Sequence, residues 1–238
     1  MKRALVILLL VAVALPLLLA VSQLPPHGDP DNPPHVHIAP RYLESGPEEG
    51  GAENVVTAVI LNYRGFDTQG EVTVIFTAMA AVVAVLVMGS AGTAPAERPA
   101  AAVPVSVIVR FIVRVLAPFI AVFSVYVVLN GHVTPGGGFQ GGTIAGALVI
   151  ALTLILSEQD ARALLPRRPE RLLQAAAPIT FFVVGIAGLA IAGDYLAYPR
   201  TEELRWLTTI MLTVVELGIG VGGAMVIATI FRTMGADR

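Results

Sequence analysis

The chain has 238 residues, of which 55% are hydrophobic and 13% are charged, and its formal net charge is −2. A soluble domain carries about 25% charged residues, so this composition, with a mean hydropathy of +0.78, indicates a protein of the lipid bilayer. The absence of cysteine excludes disulfides, thiolate-held iron–sulfur clusters and cysteine-ligated zinc within the chain, and the lack of a basic excess argues against nucleic-acid binding.

Six segments are long and apolar enough to cross a bilayer as helices. They are residues 4–24, 71–90, 104–130, 139–157, 173–193 and 206–231. We therefore predict an all-α integral membrane protein with about six transmembrane helices. Lys2 and Arg3 before the first segment also resemble the start of a signal peptide. The apolar run is long for such a peptide and no clear A-x-A site follows it, so we expect the first span to be retained.

The distribution of basic residues predicts an orientation. With the N terminus in the cytoplasm and six alternating spans, only Arg41, Arg64, Arg200 and Arg205 of the 15 Lys and Arg residues fall on the outer side. The positive-inside rule favours this arrangement. The basic loop 162–171 is the strongest cytoplasmic marker. Both termini are therefore predicted to be cytoplasmic.

Residues 25–54 form a proline-rich and acidic stretch between the first two spans. Proline opposes regular helix and favours extended or polyproline II backbone, so we expect an outer loop without helix that lies against a partner subunit. Residues 54–65 predict a short amphipathic helix that leads to Gly65. Residues 91–103, rich in Ala, Pro and Gly, predict a linker between two modules.

A glycine-rich break, GHVTPGGGFQGG, occupies residues 131–142 between two apolar segments. Irregular backbone at membrane depth is tolerated only where protein buries it or where it lines a polar cavity. The break therefore predicts a functional or close-packing element. Its motif residues are Thr134, Pro135, Gly136, Gly137, Gly138, Phe139, Gln140, Gly141 and Gly142.

Glu216 is the one acidic residue well inside a predicted span. An ionised carboxylate at mid-bilayer costs about 2.5–3.5 kcal/mol on insertion scales. Its side chain must face protein, water or a cation, or else stay protonated. Two interpretations remain open, a proton or cation site and a structural hydrogen bond from the neutral acid to a neighbouring helix.

Asp67 and Glu71 flank the start of the second span. One interpretation is an outer gate for ions, with Arg64 as a charge partner. The other is helix-start chemistry, in which Asp67 or Thr68 is the N-cap and Glu71 lies near N3 or N4. Both interpretations can hold together.

Histidine and one further acid complete the candidates. His132, beside the glycines, could relay protons near neutral pH or cap the end of the third span through a hydrogen bond. Asp194, at the end of the fifth span, could admit ions or belong to an interfacial aromatic belt. His27, His35 and His37 lack an accepted ligand spacing, so no metal site is predicted.

Two segments carry a family resemblance. GHVTPGGGFQGG resembles the signature of the MnhB family, the B-type subunits of the Mrp-type multisubunit Na+/H+ antiporters. Residues 56–71, VTAVILNYRGFDTQGE, resemble the DxRGFDTxxE segment that ends the large A-type antiporter subunit. In energy-converting hydrogenases that segment forms a separate small subunit. Asn62 departs from the pattern, which usually has Asp there.

The resemblance implies two joined modules, a two-span module over residues 1–92 and a four-span MnhB-like module over residues 104–238. It implies a membrane subunit of a Mrp-type cation/proton antiporter module that contributes to Na+ or H+ translocation and is not itself an enzyme. One alternative is the membrane arm of a redox-driven complex, with iron–sulfur or NiFe centres only on partner subunits. Another is a structural subunit that seals the interface between antiporter-like subunits. Each places the chain among other membrane subunits in a prokaryotic cell membrane, with no cofactor of its own.

Overall fold

The computed structural model describes residues 2–90, 105–156 and 172–235, and these parts of the chain contain helices and no β-strand. The predicted linker 91–103 and the predicted basic loop 162–171 lie outside the described residues. The chain divides into two compact units, Met1–Glu44 and Ser45–Arg238. The predicted division into modules 1–92 and 104–238 stays a prediction.

The first unit begins with α1, Lys2–Ser22. Its Arg3–Ser22 stretch has a mean hydropathy of 3.2 and no buried side chain, and an apolar surface all round is typical of a membrane span. A π-helical turn, Pro34–Ile38, follows. Helix α2, Ala39–Gly50, starts in the first unit and ends in the second.

The expectation that residues 25–54 contain no helix is therefore wrong. Pro34 lies in the first turn of the helical stretch that runs through Ile38 directly into α2. At that position the fixed φ of proline suits the helix, and its missing N–H would have no partner in an isolated segment. Pro40 and Pro47 lie inside the continuous stretch, where the helix continues at the cost of one backbone hydrogen bond for each.

The second unit holds the remaining helices. Helix α3, Val55–Thr57, continues directly into the π-helical segment Ala58–Tyr63, which confirms the short helix expected over 54–65. The longer helices are α4 (Gly65–Ser90), α5 (Val107–Leu129), α6 (Gly138–Ile155), α7 (Ala176–Ala192) and α8 (Arg205–Gly235).

Five helices in the described residues are long and apolar enough to span a membrane. They correspond to α1, α4, α5, α6 and α8. The fifth predicted span is shorter than expected, since α7 has 17 residues, or about 25 Å at 1.5 Å per residue, against a hydrocarbon core of about 30 Å. The prediction of an all-α membrane protein is confirmed.

Helix α8 is the centre of the second unit and packs against α4, α5, α6 and α7. Leu212, Val215 and Ile219 form its buried face, together with Phe181 of α7. Close packing against α6 depends on glycine, because a Cβ at Gly142 would lie 2.7 Å from the carbonyl oxygen of Gly220. Gly138, Gly142 and Gly146, spaced by four along α6, thus let the two backbones approach closely, as in other membrane helix pairs.

The N-cap expected at Asp67 or Thr68 is also wrong. Helix α4 begins at Gly65, so Asp67 lies in its first turn and Glu71 in its second. The carbonyl oxygen of Arg64 accepts the N–H groups of Asp67 and Thr68. The helix starts early because only Arg64 separates α4 from the π-helical segment, and the Thr68 hydroxyl donates back to Ile60 O at 2.5 Å.

Candidate functional site

Glu216 lies in the middle of α8 with 2% of its surface exposed. Its Oε1 atom lies 3.4 Å from the Thr57 hydroxyl oxygen. Its Oε2 atom is buried and has no hydrogen-bond partner among the described residues. No ion pair to Glu216 is formed within those residues either. A buried carboxyl group with one oxygen unsatisfied requires a functional or structural explanation.

The glycine-rich break packs directly on this carboxyl group. A Cβ at Gly131 would lie 2.5 and 2.6 Å from the two carboxyl oxygens, and one at Gly138 would lie 2.5 Å from the Glu216 carbonyl oxygen. Gly136 and Gly137 have φ values of +149° and +126°, a backbone conformation that favours glycine. The structure therefore brings together the two features that the sequence marked separately.

Two polar residues of the preceding segment bind the same break. Asn54 donates its side-chain amide to Gly131 O at 2.8 Å and to Thr134 O at 2.9 Å, and its backbone N–H to His132 O at 3.1 Å. Thr57 donates its hydroxyl to Gly131 O at 2.7 Å. Glu216, the break and these two side chains, which we call the acid–glycine junction, form one contiguous polar cluster.

Sequence reasoning missed Asn54 and Thr57. The only local signal was Asn54 as an N-cap, a role that it also has, since its Oδ1 atom accepts the Val56 N–H at 3.0 Å. Nothing in the local pattern indicates that the remaining side-chain hydrogens of Asn54 reach a loop 77 and 80 residues further along the chain.

Replacing Asn54 with alanine should destabilise the junction. Thr134 O would lose its donor, and an unsatisfied, partly buried carbonyl costs about 1–3 kcal/mol. Asn130→Ala is the matched control, because the Asn130 amide donates only within the end of its own helix, to Tyr126 O. Thermal unfolding of the purified protein should show the lower midpoint for Asn54→Ala, and equal midpoints for the two variants would contradict the assignment.

His132 contacts the junction through its backbone and not through its imidazole ring. Its carbonyl oxygen binds Asn54, while its Nδ1 atom is buried without a partner among the described residues. The end of α5 is closed by other groups, since Asn130 Nδ2 donates to Tyr126 O and Gly137 N donates to Val127 O. A proton-relay role for His132 stays a prediction.

The other predicted ion-path residues lie at the surface. Asp67 pairs with Arg64 at 2.6 Å, and their side chains are 52% and 61% exposed, so the expected charge partnership is present at a site where solvent screens it. Glu71 and Asp194 are exposed as well. These groups are therefore exposed, whereas Glu216 is buried. Their role in ion transfer stays a prediction.

Family models match most of the chain. Residues 108–231 match the domain related to the MnhB subunit of Na+/H+ antiporters, and residues 30–95 match MbhE, a subunit of the MBH type. The acid–glycine junction lies where the two matched regions meet, because Asn54 and Thr57 belong to the second match and Gly131 and Glu216 to the first.

Several proteins are similar in sequence. An uncharacterised protein of Methanocaldococcus jannaschii is 28% identical over 68% of this chain and 66% of its own length. The B-type subunit of the Na+/H+ antiporter of Bacillus subtilis is 28% identical over 52% of this chain and 90% of its own. The A/B-type subunit of a probable K+/H+ antiporter of Rhizobium meliloti is 32% identical over 44% of this chain, which corresponds to 12% of that longer protein.

Two solved structures share the fold. A chain of the membrane-bound sulfane sulfur reductase, an archaeal respiratory membrane complex, matches with a TM-score of 0.64 and 32% identity over 98% of this chain and 97% of its own. A chain of the Mrp complex from Dietzia sp. DQ12-45-1b matches with a TM-score of 0.60 and 28% identity over 82% of this chain and 22% of its own. Because the MnhB-related model covers more than half of the sequence, the chain belongs to the family of membrane proteins related to the MnhB subunit of Na+/H+ antiporters.

Proposed function

We propose that this chain is a membrane subunit of a Mrp-type cation/proton antiporter module and contributes to ion translocation within a multisubunit complex. The observation that carries the proposal is the Glu216 carboxyl group, buried in a membrane helix and packed on a glycine-rich break. Acidic residues at such depth mark proton and ion pathways. The antiporter subunits among its relatives support this function.

The ion bound at Glu216 is a proton in this proposal. Hard cations such as Ca2+ take about six to eight oxygen ligands, whereas the carboxyl group here has Thr57 Oγ1 on one side and glycine backbone on the other. Gly131 O already accepts two donors. No three His, Asp or Glu side chains in the described parts of the chain could jointly hold a metal ion. A proton needs only one oxygen.

The decisive assay is coupled Na+/H+ exchange by the assembled complex in proteoliposomes, with and without the Glu216 carboxyl group. Exchange that requires this group supports the proposal. Full exchange without it would assign the chain the structural role of sealing an interface between antiporter-like subunits. No catalytic turnover is assigned to the chain itself.

A redox-driven complex is the second candidate. The match to the sulfane sulfur reductase chain runs from end to end of both chains, and residues 30–95 match a subunit of the MBH type. Any iron–sulfur or nickel–iron centre would lie on partner subunits. Mass spectrometry and iron determination on the complex purified through this chain separate the two assemblies, since a stand-alone antiporter would contain no iron–sulfur protein.

The proposed orientation places both termini in the cytoplasm. The chain lacks cysteine, so a single introduced cysteine reports its side of the membrane without background. Asp194→Cys should react with an impermeant maleimide added to intact cells, and Arg238→Cys only after permeabilisation. The reverse pattern would invert the topology.

A further inference from the structure

The loop between α7 and α8 is held in a defined conformation over α8. Gly193 ends α7 with a φ of +91°, and Leu196 has a φ of 59°, which is unusual for a residue with a side chain. The Thr208 hydroxyl of α8 donates to Pro199 O at 2.7 Å and anchors the loop. Tyr198, next to this anchor, is therefore fixed in position.

Tyr198 points a polar group into the protein interior. The residue is 3% exposed, and its hydroxyl is buried with no hydrogen-bond partner among the described residues. Tyr198 belongs to the same buried cluster as Leu212 and Val215. Leu212 lies one helical turn before Glu216, and Val215 directly precedes Glu216. Burying a hydroxyl without a partner is destabilising, so the unpaired group requires a functional explanation.

The Tyr198 hydroxyl and the Glu216 carboxyl group are electrostatic neighbours. Burial raises the pKa of the Tyr198 phenol above its ordinary value, and the charge of Glu216 raises it further. Tyr198 consequently keeps its proton at physiological pH. Tyr198 Oη and Glu216 Oε2 are both buried, and neither atom has a hydrogen-bond partner among the described residues.

A cavity of about 430 Å³ is lined in part by Tyr198. Asp194, Arg200 and Thr201 also line it, and because these three residues are exposed, the cavity is open to the surface. Its volume holds several water molecules, given about 30 Å³ for each in the liquid. Tyr198 therefore borders a region accessible to water and also belongs to the buried cluster that contains Val215, the residue directly before Glu216.

We propose that the Tyr198 hydroxyl is the proton relay between this cavity and Glu216. The inference rests on the proton-binding role of Glu216 proposed above and names its route. The O–H bond of Tyr198 breaks as its proton passes through one bridging water to Glu216 Oε2, and the phenol oxygen takes a proton from a protonated water that enters from the cavity. One proton moves, tyrosine is regenerated, and no other group is consumed.

The test is the rate at which Glu216 exchanges its proton for deuterium. The complex purified through this chain is transferred to heavy water, and the carboxyl stretching band that Glu216→Gln removes is followed by time-resolved infrared spectroscopy. Tyr198→Phe should slow the exchange by about 100-fold, the usual contribution of a positioned proton-transfer group. Tyr195→Phe is the matched control on the same loop, because the Tyr195 hydroxyl is already paired with Gln69 Nε2 at 2.8 Å. An unchanged rate in Tyr198→Phe overturns the relay, and so does a faster rate, which would mean that the ring only seals the interior.

A second variant leaves the hydroxyl in place. Ala192 lines the cavity at the end of α7, so Ala192→Trp should fill the cavity and slow the same exchange even if Tyr198→Phe fails to assemble. An unchanged rate in Ala192→Trp overturns the route. If Glu216→Gln retains full ion exchange while both variants slow the deuterium exchange, the proposed function fails and the relay stands.

Discussion

Glu216→Gln should reduce coupled Na+/H+ exchange in proteoliposomes to the level of empty vesicles. Glutamine keeps the size and the hydrogen-bonding oxygen of the side chain but cannot bind and release a proton at physiological pH. Because the variant removes a titrating group rather than packing volume, the free energy of unfolding should change by less than about 1.5 kcal/mol. The measurement is the pH change inside vesicles after a Na+ gradient is applied.

Two controls separate transport from packing at Glu216. Glu216→Asp retains a carboxyl group but draws it away from Thr57 and the glycine backbone, so exchange should be reduced but measurable. Glu202→Gln removes an exposed carboxylate in the short helical turn Glu202–Leu204 that precedes α8, and should retain normal exchange. Normal exchange by Glu216→Gln, with the complex intact, would remove the residue from the ion path.

Gly142→Ala should destabilise the protein although alanine is the better helix former. The new Cβ would meet the backbone of α8, at 2.7 Å from Gly220 O and 3.0 Å from Gly220 Cα. Backbone cannot move aside as a side chain can, so α6 and α8 would have to separate. Overpacking of this kind costs about 1–3 kcal/mol. The thermal midpoint of the purified protein, followed by helical circular dichroism, should fall accordingly.

Gly223→Ala is the matched control for the glycine prediction. Gly223 also lies within a membrane helix, and a Cβ there would meet nothing within 4 Å. Alanine gains about 0.5–1 kcal/mol over glycine in a helix interior, so this variant should be neutral or slightly more stable. A loss of stability as large as that of Gly142→Ala would show that helix packing is not the reason for glycine at residue 142.

The spans and the family were predictable because their signals are local. A run of some twenty apolar residues is long enough to cross a bilayer wherever it occurs, and the observed helices coincide with the expected segments to within several residues, apart from the short α7. GHVTPGGGFQGG likewise lies in one continuous stretch. The error over residues 25–54 arose because proline was treated as uniformly opposed to helix, whereas its effect depends on its position within the helix.

Glu216 and the glycine-rich break were each recognisable from the chemistry of lipid, since a buried acid and an irregular backbone are both costly in hydrocarbon. Their contact with each other, and with Asn54 and Thr57, was not recognisable. The Thr57 hydroxyl reaches across 74 residues to Gly131 and 159 residues to Glu216, and no pattern within a single helix encodes such a contact. Composition and local motifs thus established a membrane protein of this family with an acid that is costly to bury. Helix packing determined which groups surround that acid, because only the close approach of separate helices brings their polar atoms within hydrogen-bonding distance.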